Sequence, residues 1–302
     1  MEELWTGPVT SPGIYQMDEA HYHSDPVPEA LGGSLSSSGA KLLLADGGPR
    51  KFDYARKNGS LPTKAQRLGT VIHALTLGTQ TGDLAVLDFE NRTRTKAYIA
   101  AEKEALEAGK QVILRKEWDQ ATTMASAVLS HPVAAGLLKG ADPEVSMFWR
   151  DPEFGIWLRG RADALNLDGF GMPVIADLKS SKDASKDAFA KSVHEYGYFR
   201  QDPWYREGWA AHLACEWHEV DFVFIVVESD PPHDIAIYRV SDGTEGPDDI
   251  ALGREHNRIA REKYRDCTQA GIWPGYPEDI QTLQLRRNDR FAAERVINDW
   301  HR

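Results

Sequence analysis

Asp163, Asp177 and Lys179 are the residues whose types and spacing most directly suggest chemistry in this 302-residue chain. They lie in the stretch LRGRADALNLDGFGMPVIADLKSSK, from Leu158 to Lys182. Its first half alternates apolar and polar residues, and its second half is a short apolar run, Val174-Ile175-Ala176, ending in Asp177-Leu178-Lys179. Asp168-Gly169-Phe170-Gly171 between them has the composition of a tight turn, so the stretch predicts a β-hairpin. Residues two apart on a strand share a face, which makes Asp177 and Lys179 project together and lets Asp163 meet them across the ladder. Two carboxylates brought together repel unless a cation holds both ionised; Lys179 supplies one charge and a divalent metal would supply more. On this stretch alone, a surface salt bridge explains the pattern as well as a metal site does.

The elements that position these residues follow from periodicity and breaker residues. A serine cluster precedes the apolar stripe of Leu35 to Leu44, which is an N-cap signal for a helix reaching about Ala45 before Gly47-Gly48-Pro49 stops it. Serine hydroxyls at a helix start, here Ser36 and Ser38, also suit phosphate, although capping alone accounts for them. A helix over Thr63 to Leu77 carries Leu68, Val71, Ile72 and Leu75 on one face, with Gly69 and His73 one turn apart. Glycine there would let another backbone approach His73 closely. Strands are predicted at Leu84 to Phe89, at Val145 to Arg150 entered from Glu144, and at Val220 to Glu228, the most buried-looking of all. His233 to Val240 is expected to pair with the last of these. Helices are predicted at Thr95 to Glu107, Trp118 to Leu129, Val133 to Leu138, Lys186 to Phe199, Tyr205 to Cys215, residues 247–271 and Asp289 to Trp300. Pro203 is expected to break the helical run around residue 200, with Asp202 capping a restart.

Composition bounds the class. Hydrophobic content of 41% and charged content of 27% are those of an ordinary globular protein. No apolar run approaches a membrane span, and the acidic start MEELWTGPVT lacks the basic residues of a signal peptide, so a cytoplasmic protein is expected. Cys215 and Cys267 are too few and too far apart for a disulfide framework or a C-x-x-C metal site. The net charge of −11 argues against a polyanionic partner, but six acids and no lysine or arginine fall in residues 1–40, leaving −5 for the remainder. Residues 1–34 read as an acidic, loosely packed arm and 35–302 as one domain.

In order, Gly69-Thr70-Val71-Ile72-His73, Glu144, Asp163, Asp177-Leu178-Lys179 and Gln201-Asp202-Pro203-Trp204-Tyr205 resemble the motifs of the PD-(D/E)xK nuclease superfamily. The phrases EVSMFWRD, RGRADAL and ADLKSS are most similar to RecE-type phage exonucleases, the exodeoxyribonuclease VIII group, and more distantly to the RecB-type nuclease domain. The likeness covers roughly residues 35 to 287 and extends to LSSSGAKLLL and WPGYPEDIQTLQLRR. It implies an α/β fold with a restriction-endonuclease-like core, a central mixed β-sheet flanked by helices. It implies metal ligation by Asp163, Asp177, the Leu178 carbonyl, His73 and Glu144, catalysis by Lys179, and a supporting Gln201/Tyr205 pair that Pro203 interrupts. Hard oxygen donors select Mg²⁺ or Mn²⁺, one or two per site. A lysine of lowered pKa there would take a proton from water or bind the scissile phosphate. The implied activity is 5′ to 3′ degradation of double-stranded DNA ends, in the cytoplasm of a bacterial host if phage-encoded, with a RecT-like single-strand annealing partner and a homo-oligomeric ring. An endonuclease on the same core and a catalytically silent DNA- or protein-binding module are the rival readings. No Walker-type phosphate loop supports an ATP-driven enzyme.

Overall fold

A computed structural model describes residues 4–59, 64–79, 84–92, 95–169 and 171–300. The chain opens with strand β1 (Gly13–Tyr15), helix α1 (Glu19–His23), strand β2 (Ser34–Ser36) and helices α2 (Ser37–Leu43), α3 (Gly48–Asn58) and α4 (Lys64–Leu77). Next come β3 (Leu84–Leu87), α5 (Lys96–Glu107), β4 (Gln111–Leu114), α6 (Arg115–Ser130) and α7 (Pro132–Leu138). Strands β5 (Asp142–Arg150), β6 (Trp157–Gly169) and β7 (Met172–Ser181) then run in succession, followed by α8 (Lys186–Tyr196) and α9 (Tyr198–Leu213). The chain closes with β8 (Asp221–Glu228), β9 (Ile235–Tyr238), α10 (Asp249–Ala270) and α11 (Arg287–Trp300).

The main sheet has the order β1-β5-β6-β7-β8-β9, with β2 added parallel to β6; β7 and β8 are also parallel and the other pairs antiparallel. This is the mixed sheet expected. β8 shows why it is buried on both faces: Phe222, Phe224 and Val226 enter one core while Val223, Ile225 and Val227 enter the other. The first core, with Trp149, Leu158 and Trp204, is covered by α2, α8, α9 and α10; the second, with Ile72, Met124 and Val128, by α4, α6 and α7. Period-two alternation between two apolar layers is the pattern of a strand with helices on either side. No single helix among the described residues is long and apolar enough to cross a membrane.

Three expectations change. The leading residues do not form a loose arm: β1 pairs with β5, and Val9, Met17, Tyr22 and Val27 bury against Phe148 and Trp157. One of its acids, Asp25, is ion-paired to Arg159 at 2.5 Å and accepts from the Ser34 backbone. Second, Gly47-Gly48-Pro49 ends one helix and also starts another, because Pro49 falls in the first turn of α3, where its missing N–H costs nothing. Third, α9 runs through Pro203 without a restart, and the buried Asp202 pairs with Arg206 rather than capping. The Phe199 carbonyl that Pro203 cannot serve faces Gly253 of α10, where a Cβ would lie 2.0 Å from that oxygen. Asn257 of α10 donates to the next carbonyl, Arg200 O, at 2.8 Å. The proline is therefore accommodated by close helix packing from outside α9.

Candidate active site

The site lies where the sheet forks. β6 and β7 pair from Gly169 opposite Met172, shift register before Asn166 opposite Val174, continue to Ala164 opposite Ala176, and then part. β7 continues beside β8, while the start of β6 takes β2 as its neighbour through Ser36 opposite Arg159. Asp163 and Asp177, next in register after the last β6–β7 pair, occupy the fork. Here a side chain takes over from the ladder: Asp163 Oδ2 accepts the Leu178 backbone N–H at 2.8 Å. On the other side of β6, Pro143 opposite Ala164 and Val145 opposite Ala162 bracket Glu144 against Asp163. The three acids thus fall in one row across three strands.

Each helical layer sends one polar side chain to this row. From α4, His73 Nε2 lies 2.8 Å from the Leu178 carbonyl and Nδ1 lies 3.4 Å from Asp163 Oδ2. From α9, Gln201 Nε2 donates to Asp177 Oδ1 at 2.6 Å. Lys179 closes the arrangement, its Nζ 2.5 Å from Asp177 Oδ2 and 4.9 Å from the centre of the Tyr198 ring. An ammonium over an aromatic face is attracted by the ring quadrupole, so Tyr198 helps to hold the lysine. Tyr198 went unnoticed in the sequence; its only local signal is its place one turn before Gln201-Asp202.

Burial and charge set the protonation states. Burial pushes Asp177, only 3% exposed, up to about 6 against the pull of Lys179. Burial also raises Asp163, but the charge and hydrogen bond of His73 prevail and hold it below the usual carboxylate range. Burial disfavours the His73 imidazolium, yet the Asp163 charge and hydrogen bond more than offset this and push His73 up to about 9. For Lys179 burial again acts downward, and Asp177 with Asp163 raises it above its ordinary value. In the metal-free protein Asp177 and Asp163 outweigh desolvation and favour the ammonium, the opposite direction from the lowered pKa expected from the sequence.

Glu144 and Tyr205 stand apart from this cluster. Glu144 adopts a positive φ of 55° and binds Arg161 Nε at 2.6 Å, while burial raises its pKa. Arg161 is itself tied to Ser146 Oγ at 2.8 Å and to the Met17 carbonyl at 2.9 Å, so the leading segment helps to position the acid. The Tyr205 ring lies against Gly160 and Phe222, and its hydroxyl engages the Arg161 backbone rather than either aspartate. Ser36 caps α2 by accepting from Gly39 N at 3.1 Å and sits 3.1 Å from Ser38 Oγ.

Among the described residues, no three His, Cys, Asp or Glu groups already close around one point. The donors are instead held by one another and by Lys179. Their chemistry nevertheless fits a hard divalent cation: a buried and a partly buried carboxylate, a backbone carbonyl and an imidazole lie at one strand fork. Asp177 Oδ2 is buried without a hydrogen-bond donor and meets only the lysine ammonium.

A mixed sheet between helical layers, with an Asp, Asp, Lys set on adjoining strands, defines a PD-(D/E)xK-type α/β core. The chain belongs to the family described as PDDEXK-like domain of unknown function (DUF3799), whose profile matches residues 50–286. That span contains every site residue above except Ser36 and Ser38. A crystal structure from Eubacterium rectale, of a protein provisionally named an exonuclease, is similar in fold at 15% identity. Its TM-score is 0.56, over 92% of this chain and 98% of that one. A second crystal structure, of SSO0001, aligns over 68% of this chain and 84% of its own at 16% identity, with a TM-score of 0.28. No curated protein sequence matches.

Proposed function

We propose that this protein is a metal-dependent nuclease that hydrolyses phosphodiester bonds of DNA, working inward from the ends of linear duplex. The observation that carries the reading is the fork itself, where Asp163, Asp177 and Lys179 converge with His73 and Gln201 from opposite helical layers. The similar fold of a protein provisionally named an exonuclease supports the choice of ends over internal sites.

Asp163, Asp177 and the Leu178 carbonyl would hold the cation, with His73 beside Asp163. When bound, Mg²⁺ or Mn²⁺ supplies a water nucleophilic at neutral pH and positive charge for the scissile phosphate. The Lys179 ammonium, charged at neutral pH, binds a phosphate oxygen and stabilises the negative charge that grows there. Gln201 fixes the plane of the Asp177 carboxylate, so that its second oxygen stays toward Lys179. Glu144, held by Arg161, adds negative potential at the edge of the row. The products would be single-stranded tails exposed for an annealing partner, with 5′ to 3′ polarity and a ring-shaped oligomer as the corresponding assembly.

The test is digestion of linear duplex labelled at either end, with Mg²⁺, beside a covalently closed circle of the same sequence. Loss of the 5′ label first, with the circle intact, is the expected result. Cleavage of the circle would make the protein an endonuclease. Failure to degrade either DNA with Mg²⁺ or Mn²⁺ would leave a binding module on a nuclease scaffold.

A further inference from the structure

Arg200 differs from the other partly buried arginines. Arg159, Arg161, Arg206, Arg254 and Arg261 are each ion-paired to a carboxylate, whereas Arg200 is in no ion pair among the described residues. Its Nε is buried with no hydrogen-bond partner. Yet the side chain is firmly seated. Its guanidinium lies over Gly197, where a Cβ would come within 2.1 Å of Nη2, and 5.2 Å from the centre of the Phe199 ring. Its own carbonyl is fixed by Asn257.

A second cation joins it from α2. Lys41 stands 5.3 Å over the Tyr196 ring and is likewise in no ion pair among the described residues. Burial first, then the Arg200 charge, depresses the Lys41 pKa, and Glu195 acts in the opposite sense. Burial and the same Arg200 charge also depress His256 on α10. A partly buried guanidinium with an unpartnered Nε, beside a second cation and with neither in an ion pair among the described residues, costs free energy unless an anion from outside completes it.

Their position indicates which anion. Arg200 directly precedes Gln201, whose amide holds Asp177, and follows Tyr198 by two residues, on whose ring the Lys179 ammonium rests. We infer that Lys41 and Arg200 form a subsite for a backbone phosphodiester of the bound strand, adjoining the scissile position. The inference rests on the nuclease reading above. Lys41 precedes the segment that the family profile matches, so half of this subsite comes from outside it.

The test is anisotropy of a short fluorescent duplex in EDTA, where no cleavage occurs, titrated across salt for the native protein, Lys41→Ala, Arg200→Ala and Arg200→Lys. Each alanine variant is expected to bind several-fold more weakly, with a salt slope shallower by about 0.9 per lost phosphate contact. Arg200→Lys should recover part of the loss. The loss should be equal with and without a 5′-phosphate on the duplex; a loss confined to phosphorylated ends would assign these residues to a terminal phosphate and overturn the inference. Lys41 is exposed, so its variant reports on binding even if Arg200→Ala folds poorly. Native affinity and slope in Lys41→Ala, beside a native protein that cleaves DNA with Mg²⁺, would overturn the subsite alone. A native protein that neither binds nor cleaves DNA would overturn the nuclease reading and the subsite together.

Discussion

Two groups of largely buried acids, Asp163 with Asp177 on β6 and β7 and Asp202 with Asp221 on α9 and β8, are neutralised in opposite ways. Asp177 lies beside Phe224 in the β7–β8 register, and Asp221 begins that same strand. Asp221 and the fully buried Asp202 are bound by arginines: Arg206 Nε is 2.6 Å from Asp202 Oδ1, and Arg239 Nε donates to both Asp221 oxygens at 2.8 and 3.0 Å. Arg206 also donates to the Val220 carbonyl at 3.0 Å and bridges to Asp221 at 3.5 Å. Guanidinium forks are permanently charged and geometrically committed, so this network ties α9 to β8 and is poorly placed to accept an incoming ion. Asp163 and Asp177 have instead a lysine, a histidine and an amide. Lysine is a compact charge on a flexible stem, and histidine can release its proton, so on the proposed nuclease reading the fork would exchange its cations for a metal and a phosphate. Burial of carboxylates does not distinguish the two groups; the kind of cation beside them does.

The largest effect that would test this contrast is on activity. Lys179→Ala and Asp177→Asn are each expected to lower the rate of duplex degradation on the order of 10³-fold or more, with the fold retained by circular dichroism. Near-native rates in either variant would remove the fork from the chemistry. Arg206→Ala should do the reverse: stripping two buried acids of their shared partner costs about 3–5 kcal/mol in denaturant unfolding, while the activity of the folded fraction persists.

A smaller effect concerns pH. The His73 pKa is raised from 6.5 to about 9 in the folded protein. Its contribution to metal-free stability is therefore complete below pH 6.5 and lost as pH rises through about 9. Asp177, raised from 3.8 to about 6, contributes with the same sign in a lower window, complete below 3.8 and lost through about 6. His73→Gln should flatten the melting temperature between pH 6.5 and 9 and leave the lower window in place; an unchanged upper window would show that Asp163 does not hold an imidazolium. The smallest effect is expected for Tyr205→Phe. Its hydroxyl engages the Arg161 backbone and not the acids, so cleavage should change by less than about threefold, within the worth of one neutral hydrogen bond.

Much of the frame was legible before any coordinates. The glycines of the hairpin turn, the apolar run of β8, the Ser36 cap and the stop at Gly271 act over a few residues, and their elements lie where the pattern puts them. The pairing of Asp163 with Asp177 follows from that hairpin. Pro203 misled because local rules charge its missing N–H to α9 alone, whereas Gly253 and Asn257, some fifty residues later, meet the carbonyls that matter. Glu144 is singled out by the family resemblance, as the acid entering the strand before the hairpin, but nothing local shows that Arg161 holds it. Composition likewise made residues 1–34 an arm, since a handful of apolar residues among prolines and acids gives no periodic signal; their partners, Phe148 and Trp157, lie far along the chain.

The sequence by itself determined which acids, lysine and histidine are the candidates for chemistry, and that two of the acids lie across a hairpin from each other. Tertiary structure decided that two carboxylates favour the Lys179 ammonium in the metal-free protein, that His73 and Gln201 reach the fork from opposite layers, and that Arg200 and Lys41 are in no ion pair among the described residues. Residue type and spacing act through short-range sterics and turn chemistry, but a charge state depends on the sum of burial and every neighbouring charge, and that sum exists only once distant segments have packed.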